Sequence, residues 1–139
     1  MEQFLGRKYV MTHYENFEDY LIYIGLGFIS RKIALNLRPV HSLTRNEDGT
    51  YLYNIHTTLY NWDIVFTPDI EFNEKRPDGQ IVRATITLED NIMIHIQNHP
   101  EGKHSKHVIE FYPDRNVVTT TARGFNKTVI RHYELVRED

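Results

Sequence analysis

The stretch Asn16–Leu37, with the sequence NFEDYLIYIGLGFISRKIALNL, decides the fold, because it is the only strongly helical segment in a chain that otherwise reads as strands. In its first half, apolar residues recur at i, i+3, i+4 and i+7, which gives a helix one apolar face. These residues are Phe17, Tyr20, Leu21 and Ile24. Asn16 is a favourable N-cap, and Asp19 follows three residues later, as in a capping box.

The helical stretch is predicted to break at Gly25-Leu26-Gly27, because glycine destabilises a helix. A second short helix follows and ends before Pro39. Its predicted apolar face consists of Leu26, Ile29, Ile33 and Leu37. Two such helices cannot form a core alone, so they must cover another layer of the protein, with Phe17, Leu26 and Ile29 facing inward.

The composition narrows the class of protein. A chain of 139 residues is expected to form one domain, residues 1–139, and 40% hydrophobic with 25% charged residues is typical of a globular protein. The net charge of −3 argues against nucleic-acid binding, and the absence of cysteine excludes disulfides and thiol chemistry. No apolar run is long enough for a signal peptide or a membrane span, so we expect a soluble cytoplasmic protein.

The remainder of the chain reads as short strands separated by turn signals, among them Asp48-Gly49 and Asp78-Gly79. The predicted strands are Arg7–Tyr14, Val40–Arg45, Tyr51–Thr58, Trp62–Thr67, Ile70–Asn73, Gln80–Leu88, Ile92–Gln97, Lys106–Tyr112, Val117–Ala122 and Lys127–Val136. Such a run favours an antiparallel meander, and closure removes its exposed edges. We therefore predict an all-β fold, a ten-stranded antiparallel up-and-down β-barrel, with a helix-turn-helix lid at about 16–37 between its first two strands.

Several strands carry polar residues on the face that would point into the barrel. Met93, His95 and Gln97 share one face of their strand. A mixed inner face fits a cavity that holds an amphipathic ligand. The alternative is a flattened barrel whose polar face contacts solvent.

The strongest candidate site lies near the C-terminus. Strand alternation puts Val129, Arg131, Tyr133 and Leu135 on one face. An arginine among apolar neighbours is costly unless it is paired, and a guanidinium beside a tyrosine hydroxyl suits a carboxylate. The partner is either a ligand carboxylate or an internal Asp or Glu on a neighbouring strand.

A longer pattern extends from the helical stretch over nearly the whole chain. It comprises Tyr9-x-Met11-x4-Asn16-Phe17-Glu18-x-Tyr20-Leu21, Gly25-Leu26-Gly27-Phe28-x-x-Arg31-Lys32-x-Ala34, Arg38-Pro39, Thr57-Thr58-Leu59-x-Asn61, Ile70-Glu71-Phe72, Asp78-Gly79, Val82, Thr87-Leu88 and Arg131-x-Tyr133-Glu134. In this order, the pattern resembles the intracellular lipid-binding proteins of the fatty-acid-binding family. The resemblance implies a β-barrel carrier without enzymatic activity or cofactor, which binds and transports a long-chain fatty acid or a similar lipid.

The resemblance also implies a set of ligand-binding residues. Arg131 and Tyr133 would hold the ligand carboxylate. The cavity and its portal would be lined by Phe17, Tyr20, Leu26, Ile29, Leu59, Phe66, Asp78, Met93, His95, Gln97 and Ile109. Three features depart from the family, and the first is Gly6-Arg7-Lys8-Tyr9 in place of the usual Gly-x-Trp start. Leu59 replaces a portal phenylalanine, and Ile109 occupies the position of a second inward arginine, so that His107 becomes an additional candidate for the carboxylate site.

Other interpretations stay open at this point. The same barrel could carry a retinoid, a bile salt or another bulky lipid, or it could be an interaction module filled by side chains. His99, His104 and His107 could form a metal cluster, although this segment reads as a hairpin turn and we expect no metal. The outward face of the second helix, with Arg31, Leu35 and Arg38, is a candidate for transient contact with an anionic membrane. We expect a monomer.

Overall fold

Ten antiparallel strands form one sheet in the computed structural model, which describes residues 1–137. The strands are β1 (Lys8–Glu15), β2 (Val40–Arg45), β3 (Tyr51–His56), β4 (Asn61–Phe66), β5 (Phe72–Lys75), β6 (Ile81–Glu89), β7 (Ile92–Asn98), β8 (Ser105–Phe111), β9 (Arg115–Ala122) and β10 (Val129–Leu135). Two helices, α1 (Phe17–Tyr23) and α2 (Phe28–Asn36), follow β1, and a 3₁₀ helix (Glu2–Phe4) precedes it. The predicted ten-stranded barrel with two helices after its first strand is confirmed.

The sheet closes because the first strand pairs with the last. Its order is β4-β3-β2-β1-β10-β9-β8-β7-β6-β5, and β1 pairs with β10 from Tyr9↔Leu135 to Glu15↔Ile130. β4 and β5 end this order, so the barrel is nearly closed and its one gap within residues 1–137 lies between them. Trp62 and Phe72 contribute to the lining of this gap.

One strand begins and ends later than the sequence suggests. The prediction Ile70–Asn73 becomes β5, Phe72–Lys75, because Thr67 to Ile70 form a turn in which Asp69 has a φ of 69°. The shift adds Glu74 to the strand, and its buried side chain points to the same side of the sheet as that of Phe72.

An aromatic cluster fills the end of the barrel opposite the two helices. Phe4 of the 3₁₀ helix packs against Phe111, with their ring centroids 6.1 Å apart. Tyr9 meets Phe111 edge to face at 6.0 Å. These buried rings join the larger core that includes Leu43, Ile86, Met93 and Val118.

The first helix is firmly attached to the barrel. Tyr20 and Leu21 are buried against Val129 of β10, and the Tyr20 hydroxyl lies 2.7 Å from Ser105 Oγ. Asn16 does not act as the predicted side-chain cap. It adopts a left-handed conformation, and its Nδ2 instead donates to the Thr128 carbonyl at 2.9 Å, which fixes the helix entry to β10.

The second helix buries none of its residues. Contrary to the predicted inward face, Ile29 is 75% exposed and Ile33 is 46% exposed. The reason is that α2 packs beside α1 through Ala34 and Leu35, which turns the Ile29 side outward. Within residues 1–137, no helix is long and apolar enough to cross a bilayer.

Candidate ligand-binding cavity

The space between the barrel and the helices forms a cavity. It contains about 920 Å³ not occupied by protein atoms, part of it open to solvent. Concave sites with a mainly apolar lining and a few polar groups are typical of small-molecule binding. Phe17 lines it from α1 and Leu37 from the end of α2, while Tyr53, Trp62 and Ile64 contribute from β3 and β4.

Arg131 points into this cavity from β10. It lies between the buried residues Val129 and Tyr133 on one face of the strand, as predicted from the alternation. Its guanidinium carbon is 5.3 Å from the centroid of the Phe17 ring. Its Nε is buried without a hydrogen-bond partner, and no Asp or Glu within residues 1–137 forms an ion pair with it. The internal salt bridge considered above therefore does not form in the described part of the chain.

A chain of hydrogen bonds runs along the opposite wall. His95 Nε2 is 2.6 Å from Glu74 Oε1, and Gln97 Nε2 donates to Glu74 Oε2 at 2.9 Å. His107 Nε2 lies 2.8 Å from Gln97 Oε1, and its Nδ1 lies 2.7 Å from Thr120 Oγ1. Because an ionised carboxylate only accepts, Glu74 fixes the donor direction along the whole chain.

The chain determines which nitrogens carry protons. Gln97 directs its amide nitrogen to Glu74, so its oxygen must accept from His107 Nε2–H. His107 Nδ1 then accepts from the Thr120 hydroxyl. Burial lowers the pKa of His107 well below its usual value, and the nearby charges of His95 and Arg131 add to this effect. His107 is therefore neutral, and both of its nitrogens are occupied by protein groups.

A second arginine lies at the cavity, and it was not identified from the sequence. Arg76 is buried, and its Nη2 and Nε contact Asp78 Oδ2 and Oδ1 at 2.7 and 3.2 Å. Its charge is thus neutralised by a forked pair, unlike that of Arg131. The alternation of Phe72 and Glu74 continues to Arg76, which directly follows β5, but the predicted strand ended at Asn73.

His41 forms a buried polar cluster next to Tyr133. Its ring stacks on the Tyr133 ring with centroids 4.0 Å apart. Its Nδ1 lies 2.8 Å from the Tyr53 hydroxyl, and Asn116 Nδ2 approaches its Nε2 at 2.9 Å. Burial, with a smaller effect from Arg131, lowers the pKa of His41 to about 3.

The pKa of His41 predicts that the protein loses stability as the pH falls. The unfolded chain binds a proton near pH 6.5, whereas folded His41 stays neutral until about pH 3. Between pH 6.5 and 5, this difference alone lowers the free energy of unfolding by about 2 kcal/mol. Urea denaturation across this pH range measures the effect. His41→Gln removes the titrating group, so its stability should fall less steeply, and equal slopes for the two proteins would contradict the assignment.

Seven of the predicted ligand-binding residues lie together in the cavity wall, and they are Phe17, His95, Gln97, His107, Ile109, Arg131 and Tyr133. The structure places the others elsewhere. Phe66 and Met93 are buried in the hydrophobic core, where the Phe66 ring stacks on that of Tyr51. Tyr20 and Leu26 pack between α1 and the barrel. Asp78 forms an ion pair with Arg76.

Ile29 and Leu59 border an open groove outside the cavity rather than the cavity itself. This outer groove is formed by Phe28, Ile29, Lys32, Ile33, Asn36, Leu37, Thr58 and Leu59. Leu59 is 65% exposed and Phe28 is 64% exposed. Leu59 lies there because it follows the end of β3 in the turn to β4, beside α2.

The histidines near the β7–β8 turn have protein partners. His99 Nε2 lies 2.9 Å from Gln80 Oε1, and His104 Nδ1 accepts from the His99 amide at 3.1 Å. No group of three His, Cys, Asp or Glu side chains within residues 1–137 is arranged to hold a metal ion. His107 belongs instead to the hydrogen-bond chain of the cavity wall.

Comparison with known proteins agrees with this architecture. Residues 6–136 match the lipocalin / cytosolic fatty-acid binding protein family. Fatty acid-binding protein homolog 5 of Caenorhabditis elegans is 32% identical over 138 residues, which is 99% of this chain and 98% of that protein.

Two solved structures are similar over nearly their full length. The fatty acid-binding protein from Drosophila melanogaster brain tissue has a TM-score of 0.87 at 31% identity, covering 94% of this chain and 98% of that one. The Schistosoma mansoni fatty acid binding protein in complex with arachidonic acid has a TM-score of 0.89 at 25% identity, covering 99% and 98%. The chain therefore belongs to the lipocalin / cytosolic fatty-acid binding protein family.

Proposed function

We propose that this protein is a non-enzymatic intracellular carrier that binds long-chain fatty acids in its barrel cavity. The ligand carboxylate binds Arg131 and Tyr133, and its hydrocarbon chain lies against apolar side chains such as Phe17, Trp62 and Ile64. Burial of the hydrocarbon contributes most of the affinity, at about 0.8 kcal/mol for each buried CH₂ group. The family relationship and the complex of the Schistosoma relative with arachidonic acid support this ligand class.

The observation that carries the proposal is the unpaired guanidinium of Arg131. A buried Nε without a hydrogen-bond partner is costly, and an entering carboxylate removes that cost. Arg76 already has a carboxylate partner, and His107 is neutral with both nitrogens occupied. We therefore assign the anchoring cation to Arg131 and no direct role in carboxylate binding to His107.

Displacement of a fluorescent fatty-acid probe from the delipidated protein tests this function. We expect oleate to displace the probe at lower concentration than retinoic acid or cholate, since the cavity combines apolar side chains with Arg131, which has no carboxylate partner within residues 1–137. A stronger effect of retinoic acid or cholate would favour a carrier of bulky lipids. Failure of all three ligands would contradict the proposal, and native mass spectrometry of the purified protein would then show no bound lipid.

We propose in addition that the outer groove beside α2 contacts membranes when the ligand is transferred. Phe28, Ile29 and Leu59 expose apolar surface there, and the Lys32 ammonium lies 5.4 Å from the centre of the Phe28 ring. Apolar side chains next to a cation suit an anionic lipid surface.

The residues that carry this contact differ from those expected from the sequence. The Arg31 guanidinium folds back onto the Leu26 carbonyl at 2.8 Å, and Leu35 packs towards α1. Of the three expected residues, only Arg38 is exposed, whereas Arg31 and Leu35 are partly buried. The proposed membrane face is therefore the outer groove rather than the Arg31–Leu35–Arg38 face.

Phe28→Ser should slow the transfer of a fluorescent fatty acid to anionic phosphatidylglycerol vesicles by about threefold to tenfold, because it removes exposed apolar area from the membrane face. Stopped-flow fluorescence measures the rate. Val65→Ser is the matched control, since Val65 is also an exposed apolar residue but lies on β4 outside the groove. Equal rates for wild type and Phe28→Ser would refute this role.

A further inference from the structure

His95 offers an unpaired nitrogen at the cavity wall. The residue is 4% exposed and lines the cavity. Its Nε2–H donates to Glu74 Oε1 at 2.6 Å, whereas its Nδ1 has no hydrogen-bond partner within residues 1–137. Nδ1 can therefore hydrogen-bond to a hydroxyl group, which both donates and accepts. The wall has a polar atom that the protein itself leaves without a partner within residues 1–137.

The neighbouring residues cannot turn to pair with this atom. Gln97 is held between Glu74 and His107, and His107 is held between Gln97 and Thr120. Glu74 is buried and accepts from both His95 and Gln97. Because each of these side chains is held by two partners, none of them is free to pair with His95 Nδ1, and the bond of Nε2 to Glu74 holds the His95 ring.

The strand register gives the distance of His95 from the proposed carboxylate site. Arg131 pairs with Val118, and Thr120, two residues further along β9, pairs with His107. His107 in turn pairs with His95. His95 thus lies three strands away from Arg131, which is about 14 Å along the sheet. A fatty acid anchored at Arg131 can reach His95 with the middle of its chain but not with its carbon next to the carboxylate.

We propose that the cavity selects fatty acids that carry a hydroxyl group in the middle of the chain, and that this hydroxyl forms a hydrogen bond with His95 Nδ1. An unsubstituted chain covers Nδ1 without giving it a partner, whereas the hydroxyl supplies one. This inference rests on the proposed fatty-acid binding and adds a specificity-determining residue to it.

Ricinoleate and oleate form a matched pair of probes, because they differ only in a mid-chain hydroxyl. We expect wild-type protein to bind ricinoleate about threefold to tenfold more tightly than oleate, as one net hydrogen bond predicts. Oleate carrying its hydroxyl next to the carboxylate should not share this preference. Isothermal titration of the delipidated protein gives all three dissociation constants.

His95→Gln tests the residue itself. A glutamine amide can still donate to Glu74 from the position of Nε2 but has no atom at the position of Nδ1, so the ratio of the two affinities should fall to about one. His132→Gln is the matched control, because His132 stacks on His13 at the outer surface of the barrel and should keep the wild-type ratio. Persistence of the ricinoleate preference in His95→Gln would overturn the assignment.

A measurement on the wild-type protein covers the case in which His95→Gln does not fold. The ¹⁵N resonance of His95 Nδ1 should shift on addition of ricinoleate and not of oleate, and identical spectra would overturn the proposal. The two proposals fail separately. If oleate binds but ricinoleate shows no advantage, only the role of His95 is wrong; if neither ligand binds, fatty-acid binding itself is wrong.

Discussion

Replacement of Arg131 by alanine should weaken oleate binding by about tenfold to a hundredfold, because hydrogen bonds between charged groups contribute about 1.5–3 kcal/mol. Oleyl alcohol, which has the same chain without the charge, should lose much less. This difference is expected because, within residues 1–137, Arg131 has no carboxylate partner, whereas the other cavity arginine, Arg76, is paired with Asp78. Competition against a fluorescent fatty-acid probe measures both ligands on both proteins.

Arg83→Ala is the control for the loss of a positive charge. Arg83 lies on the outer face of β6, and its side chain pairs with Glu71 in solvent. Its removal should leave both affinities near those of the wild type. If Arg131→Ala reduced the binding of oleate and oleyl alcohol equally, the side chain would act by shaping the cavity rather than by pairing with a carboxylate.

Phe111→Ala should lower the free energy of unfolding by about 3–5 kcal/mol, which is the usual cost of removing a buried phenylalanine ring. Phe111 is 1% exposed and contacts Phe4, Tyr9 and His41 at the closed end of the barrel. Neighbouring strands hold these groups in place, so the vacated space cannot collapse. Urea denaturation monitored by circular dichroism measures the change.

Phe111→Leu provides a graded control, since it keeps part of the buried volume and should cost clearly less than the alanine variant. A loss below about 1 kcal/mol for Phe111→Ala would show that this aromatic cluster does not contribute to the core as described. In the same urea denaturation experiment, saturating oleate should raise the free energy of unfolding of the wild-type protein.

The barrel and the placement of Arg131 and Tyr133 at its cavity could be predicted because both follow from local periodicity. One helical stretch among many short strands leaves few architectures, and alternation along β10 puts Arg131 and Tyr133 on the same face. The observed strand supports that placement, with Tyr133 buried and Arg131 at the cavity. Neither inference required knowledge of which strands are neighbours.

Other parts of the site depend on contacts that local patterns do not contain. Glu74 and Arg76 were missed because the predicted strand ended at Asn73, whereas the turn with the left-handed Asp69 moves β5 to Phe72–Lys75. His41 and Asn116 meet although 75 residues separate them. Their pairing follows from barrel closure, which strand periodicity cannot specify.

The orientation of α2 shows a further limit. Its apolar residues were expected to face the cavity, but Ile29 and Ile33 face solvent. The helix is amphipathic in either orientation, and its contact with α1 through Ala34 and Leu35 decides which side is exposed. Which face of α2 is exposed therefore depends on tertiary packing, and the sequence periodicity of the helix does not contain this information.

The most direct test of fatty-acid anchoring is the titration of bound oleate labelled with ¹³C at its carboxyl carbon. The Arg131 guanidinium favours the ionised form of a nearby carboxylate, so it should hold the pKa of the bound carboxyl below its usual range. We predict that its resonance in the wild-type complex stays that of the carboxylate as the pH is lowered through the usual range, and that Arg131→Ala restores an ordinary titration. Identical titration curves for the two complexes would contradict the assignment of Arg131 as the carboxylate anchor.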